Sequence, residues 1–210
     1  MNALVIADVQ NDFCPGGALP VPEGDRVIEV INRIQPCFDL VVATQDWHPA
    51  NHGSFAASHP GCRPGEQIEL AGLPQTLWPV HCVGSPGADF HPRLDRSRID
   101  RTFRKGADPD VDSYSGFFDN GRRRSTGLAE YLRERRVTDV FVCGLATDYC
   151  VKFTALDAAR LGFKTYVIED ACRGIELRAG DIRCAIEEMR AEGVMVIASG
   201  DLPTANLQGA

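Results

Sequence analysis

Apolar positions along the chain alternate between two rhythms. Ala3-Leu4-Val5-Ile6-Ala7, Leu40-Val41-Val42-Ala43-Thr44, Val140-Phe141-Val142-Cys143, Lys164-Thr165-Tyr166-Val167-Ile168 and Val194-Met195-Val196-Ile197 are short runs rich in β-branched residues. Such runs predict strands of a parallel sheet covered on both faces. Between them the apolar residues space out as on one face of a helix. Val27, Val30, Ile31 and Ile34 mark a helix from about Asp25 that Pro36 ends. A second runs from about Ser125 to Arg136. Val151, Thr154, Ala155 and Ala158 mark a third, to about Leu161, and Ile182, Ala185, Ile186 and Met189 a fourth. A shorter strand around Arg101-Thr102-Phe103-Arg104 ends at Lys105-Gly106. Strand and helix in alternation imply right-handed βαβ crossovers. The expected fold is one three-layer α/β/α domain over residues 1–210, doubly wound on a mostly parallel sheet. The tail after Gly200 reads as frayed.

Two places break this rhythm. From about Pro49 to Asn120 Gly, Pro, Ser and His are frequent and helical periodicity is absent. A loop region of that length, about residues 46–120, is expected to carry function. The other break is Gly144-Leu145-Ala146-Thr147-Asp148-Tyr149-Cys150, where Gly144 stops a buried strand and Thr147 and Asp148 are N-cap types. Cys150 is then expected in the first turn of a helix, at the carboxyl edge of the sheet. There the helix dipole favours a thiolate, although many free cysteines are only small buried hydrophobes.

Composition narrows the function. The formal charge of −7 and the lack of a long basic run argue against nucleic acid or an anionic membrane as partner. Arg122-Arg123-Arg124 reads as a solvated turn before a helix. The first eight residues lack a basic n-region and reach Asp8 too early for a signal peptide. No apolar run approaches a membrane span. Eight cysteines are scattered without metal-finger spacing, which points to reduced thiols and a cytoplasmic protein.

Three reactive side chains, Asp8, Lys105 and Cys150, lie just past three expected strands. In a parallel sheet those ends share one edge, so they can converge. A nucleophilic thiol needs a base, for which Asp8 serves if burial raises its pKa, and an ammonium to offset the negative charge. An Asp–Lys pair at the rim beside a passive cysteine is the plain alternative. All five histidines lie between positions 48 and 91. Asp46 and His48 point the same way if the segment is extended, and His81 is a third candidate. Two His and a carboxylate leave positions open for water or substrate, as in zinc and non-haem iron sites. His52, His59 and His91 are left for solvent or outer-sphere roles.

Taken together, Asp8-Val9-Gln10-Asn11-Asp12-Phe13, Thr44-Gln45-Asp46-Trp47-His48-Pro49, Trp78-Pro79-Val80-His81-Cys82, Lys105-Gly106, Asp112-Ser113-Tyr114-Ser115 and Gly144–Cys150 resemble the nicotinamidase (pyrazinamidase) branch of the isochorismatase-like hydrolases. The resemblance covers nearly the whole chain. It implies Asp8, Lys105 and Cys150 as catalytic triad, and one divalent metal ion, zinc, iron or manganese, on Asp46, His48 and His81. Ser54 would join through water, and His52 is the position on which family members differ. Phe13, Trp78 and Tyr114 match positions that enclose a pyridine ring. A non-proline cis peptide would fall at Leu145–Ala146, with the N–H groups of Ala146 and Cys150 as oxyanion hole. The implied activity is hydrolysis of nicotinamide to nicotinate and ammonia through a Cys150 thioester, in salvage toward NAD. Relatives that act on carbamoyl or ureido substrates share the triad but generally lack the metal set, and true isochorismatases lack the cysteine. A metal- or ligand-binding protein without turnover and a redox-sensing thiol are the other classes.

Overall fold

The computed structural model describes residues 1–202. Six strands form one sheet: β1 (Asn2–Ala7), β2 (Leu40–Asp46), β5 (Ile99–Lys105), β6 (Asp139–Leu145), β7 (Lys164–Arg173) and β8 (Met195–Ile197). Their order is β5-β2-β1-β6-β7-β8, and all five pairings are parallel. The chain therefore starts in the middle of the sheet, winds to one edge and returns to build the other half. This is the doubly wound α/β/α arrangement expected of the alternating pattern. Residues Ala3–Ala7 of β1 are fully buried, because strands flank it on both sides and helices cover both faces.

The helices are α1 (Val27–Ile34), α2 (Leu128–Glu134), α3 (Lys152–Arg160) and α4 (Asp181–Ala191). In α1 the buried side chains are Val27, Ile28, Ile31 and Ile34, the stripe that helical spacing requires. Pro36 falls inside a short 3₁₀ turn, Gln35–Cys37, that closes it. Arg122, Arg123 and Arg124 are exposed ahead of α2, as expected of a solvated turn.

Three details differ from the sequence pattern. The region between β2 and β5 holds a hairpin, β3 (Gln67–Leu70) with β4 (Leu73–Thr76). Its half-exposed, short strands leave too little alternation to detect. The turn before α3 is a π turn, Thr147–Val151, whose N-cap is Ala146 with no side-chain cap. Asp148 instead reaches across to the backbone N–H groups of Ile175 (2.9 Å) and Glu176 (2.8 Å). The tail continues past Gly200 in a 3₁₀ turn, Ser199–Asp201, and Leu202 packs into the core. The rest of that tail, 203–210, lies outside the described residues. All eight cysteines are free. Among the described residues, no helix is long and apolar enough to cross a membrane.

Candidate active site

The ends of β1, β2, β5 and β6 deliver the site. β1 ends at Asp8, whose backbone is left-handed (φ 48°), a conformation that Asp tolerates better than most residues. The turn directs a fully buried carboxylate to the edge of the sheet. β2 ends in Asp46 and β5 in Lys105, and the two are register partners. Gly144 in β6 has φ 113°, and a Cβ there would lie 2.1 Å from the Ala7 carbonyl oxygen. Only glycine lets β6 come this close to β1 before the chain turns through the cis Leu145–Ala146 bond to Cys150.

Asp8, Lys105 and Cys150 meet. Lys105 Nζ lies 2.9 Å from Asp8 Oδ2 and 3.4 Å from Cys150 Sγ, and donates to the Ser113 carbonyl at 2.8 Å. It also pairs with Asp46. The two groups of residues that the sequence separates, triad and metal set, thus share one buried cation. Thr44 donates to Asp8 Oδ1 at 2.6 Å, while Asp8 Oδ2 has no well-aligned hydrogen-bond donor.

Burial dominates the titration of these groups. It raises the Asp8 carboxyl, and Asp46 adds to the rise against the pull of Lys105. It drives the Cys150 thiol well above its ordinary value, outweighing the opposing Lys105 charge, with Asp8 and Asp46 adding to the rise. Desolvation thus works against the thiolate that the helix position favours. Burial works against the Lys105 charge as well, but Asp46, Asp8 and Cys150 together keep it well above the usual lysine value.

Asp46, His48 and His81 also converge, with one donor atom from each within 4.8 Å of the others. His81 Nδ1 lies 2.8 Å from the Pro79 carbonyl and so donates to it, which leaves Nε2 as a lone pair, 3.9 Å from Asp46 Oδ2. His48 Nδ1 is buried with no partner. Unpartnered nitrogen next to a carboxylate is what a divalent cation needs, so the residues fit a metal. Burial takes His81 down to about 4, which keeps it unprotonated for that role.

His52 is not solvent-facing. It is fully buried, edge-on to His48 with ring centroids 4.4 Å apart, and its Nδ1 sits 2.8 Å from the hydroxyl of the equally buried Ser54. His59 and His91 are only partly buried; His59 Nε2 meets the Gly53 carbonyl at 2.7 Å. Phe13, Trp78 and Tyr114 line one cavity together with Ala146 and Cys150. Tyr149 closes it, edge-on to Trp78 (4.9 Å) and Tyr114 (5.3 Å).

Sequence reasoning assigned no role to Tyr149, Gln10 or Asp112. Gln10 extends the sheet with its side chain, since Nε2 donates to the Asp46 carbonyl (2.8 Å) and Oε1 accepts from the Asp46 N–H (2.8 Å). Buried Asp112 lies 3.2 Å from His48 Nε2. All three stand inside motifs quoted above, and that adjacency is the only signal.

Fold and site together define a class: a doubly wound α/β protein with a buried thiol, lysine and carboxylate at the carboxyl edge of its sheet, beside an Asp-His-His triplet that could hold a metal. Residues 2–201 match the isochorismatase domain family. The chain belongs to that family, within its nicotinamidase branch of amidohydrolases. It is 52% identical over 205 residues to the nicotinamidase of Escherichia coli (strain K12), covering 95% of this chain and 96% of that one. Among solved structures, the Acinetobacter baumanii nicotinamidase/pyrazinamidase superposes with a TM-score of 0.93 at 50% identity, over 96% of this chain and 98% of that one. The yeast nicotinamidase Pnc1p bound to the inhibitor nicotinaldehyde does so with 0.89 at 33% identity, over 94% of this chain and all of that one. A Pyrococcus horikoshii pyrazinamidase solved in complex with zinc gives 0.74 at 40% identity, over 94% of this chain and 98% of that one.

Proposed function

We propose that this chain hydrolyses nicotinamide, and pyrazinamide-like analogues, to nicotinate and ammonia within one domain. The observation that carries this reading is the position of Lys105 Nζ, in contact with Asp8, Asp46 and Cys150 at the foot of an aromatic cavity. The high identity to nicotinamidases supports the substrate.

The substrate ring enters between Phe13, Trp78 and Tyr114, flat surfaces that suit a planar heteroaromatic. Asp8 takes the Cys150 proton, and the sulfur attacks the carboxamide carbon. Lys105 stays charged and offsets the negative charge that passes between carboxylate and sulfur. The backbone N–H groups of Ala146 and Cys150 hold the tetrahedral oxyanion. Asp8 returns the proton to nitrogen, the C–N bond breaks, and ammonia leaves a thioester on Cys150. Asp8 then takes a proton from water, which attacks the thioester carbon; nicotinate leaves and the thiol is restored. A divalent metal, zinc, iron or manganese, on Asp46, His48 and His81, with Ser54 reached through water, would supply a Lewis-acid anchor that orients the ring nitrogen. The activity fits a cytoplasmic step that recovers the pyridine ring for NAD synthesis.

The test is ammonia release from nicotinamide by reduced, metal-replete protein. Release that Cys150→Ala abolishes is the expected outcome. No release would reject the substrate and direct attention to carbamoyl and ureido compounds.

A further inference from the structure

Asp112 is a buried carboxylate that the proposed reaction does not use. It is 3% exposed, yet it is fully engaged. Oδ1 accepts from the Ser113 N–H at 2.8 Å and faces His48 Nε2 at 3.2 Å. Oδ2 accepts from Gln75 Nε2 at 3.0 Å. Gln75, at the end of β4, is itself buried. Its amide nitrogen lies within hydrogen-bond distance of three acceptors: the Thr76 carbonyl (2.7 Å), Asp112 and the Tyr114 hydroxyl (3.0 Å). Trp78 Nε1 donates to the same hydroxyl at 3.2 Å. Gly106 packs against the same end of the His48 ring, where a Cβ would lie 2.7 Å from Nε2.

A neutral imidazole carries one N–H, and its partner decides which nitrogen holds it. An ionised carboxylate only accepts, so Asp112 places the hydrogen on Nε2. Nδ1 is then the bare nitrogen, and it is the atom left without a protein partner. His81 is set the opposite way: the Pro79 carbonyl takes Nδ1–H, and Nε2 is bare.

We propose that Asp112, held by Gln75, is a positioning residue that fixes His48 as its Nε2–H tautomer, so that His48 binds metal through Nδ1. This rests on the metal reading given above. The two members of the pair come from separate parts of the long region after β2. That region thereby couples the metal ligand to the aromatic wall, since the Gln75 amide serves Asp112 and Tyr114 at once.

The direct test uses the wild-type chain with ¹⁵N-labelled histidine and zinc alone. Long-range ¹H–¹⁵N spectra, with His48 assigned by its loss in His48→Gln, should show Nε2 protonated before zinc. On titration Nδ1 should shift while Nε2 keeps its hydrogen. A zinc-induced shift at Nε2, or a mixture of tautomers in the free protein, overturns the proposal while leaving the metal reading intact. No zinc binding by wild type overturns both. Asp112→Asn keeps the shape but can present an N–H to the ring. It should raise the zinc dissociation constant about 10–100-fold in competition with a chromophoric chelator. A constant within about twofold of wild type would exclude Asp112 from the role on the same scale. Gln75→Leu should weaken zinc less and also raise KM for nicotinamide, since it removes one of the two donors that hold the Tyr114 hydroxyl.

Discussion

At the scale of residues, the site is governed by desolvation. The Lys105 ammonium faces two carboxylates and a thiol with almost no solvent. Removing it strands Asp8 and Asp46. Lys105→Met should destabilise the fold by about 3–5 kcal/mol, read from a denaturant midpoint, because an unpaired buried charge costs that much. An unchanged midpoint would mean the pair is open to water. Cys150→Ala should lower turnover by about four orders of magnitude or more with the melting curve in place. As the proposed base, Asp8 should set the pH profile. Its pKa in the folded state is raised above the unfolded carboxylate value, so the native site holds a proton at pH where a free Asp would not. The base form is reached only as pH rises through the raised value. The acid limb of kcat/KM should therefore lie above the ordinary carboxylate range of about 4. By the same sign, Asp8 contributes stability below the unfolded pKa and loses it as pH rises through the folded one. An acid limb at an ordinary carboxylate value would remove Asp8 as the titrating base.

At the scale of elements, two features hold the nucleophile turn. One is the contact of β6 with β1 at Gly144. Gly144→Ala would force a Cβ to 2.1 Å from the Ala7 carbonyl oxygen at φ 113°, so a loss of about 2–5 kcal/mol is expected from overpacking and backbone strain. Thermal denaturation checks it. The other is Asp148, which ties the turn to the backbone of residues 175 and 176. Asp148→Ala should cost about 1–3 kcal/mol and speed amide exchange at those two residues before any other. Here the sequence was readable and misleading at once. Asp148 has the composition of an N-cap, and its strand-to-helix position was legible, but its partners lie 27 and 28 residues away. Local propensity has no access to such a pairing. The hairpin β3–β4 was hidden for a different reason: its strands are too short and too exposed to imprint an alternation.

At the scale of the molecule, the proposed metal site should be linked to the fold. Asp46, His48 and His81 come from the end of β2 and the long region after it, and converge only in the folded chain. Zinc that binds the native state alone should raise the melting temperature, by about 2.7 kcal/mol of stability at a hundredfold excess over its dissociation constant. His48→Gln should lose most of that shift, and an equal shift in both proteins would place the ion elsewhere. The alternating apolar runs and helical stripes of the chain determine the doubly wound sheet by themselves, because burial on two faces is written in local composition. They also place Asp8, Asp46, Lys105 and Cys150 at strand ends. What the tertiary structure alone decided is how those ends meet: that one lysine serves both groups, that burial opposes charge on the thiol, and that His48 faces a carboxylate 64 residues away. Each depends on distance and solvent exclusion across the sheet edge, and neither quantity exists until the strands are side by side.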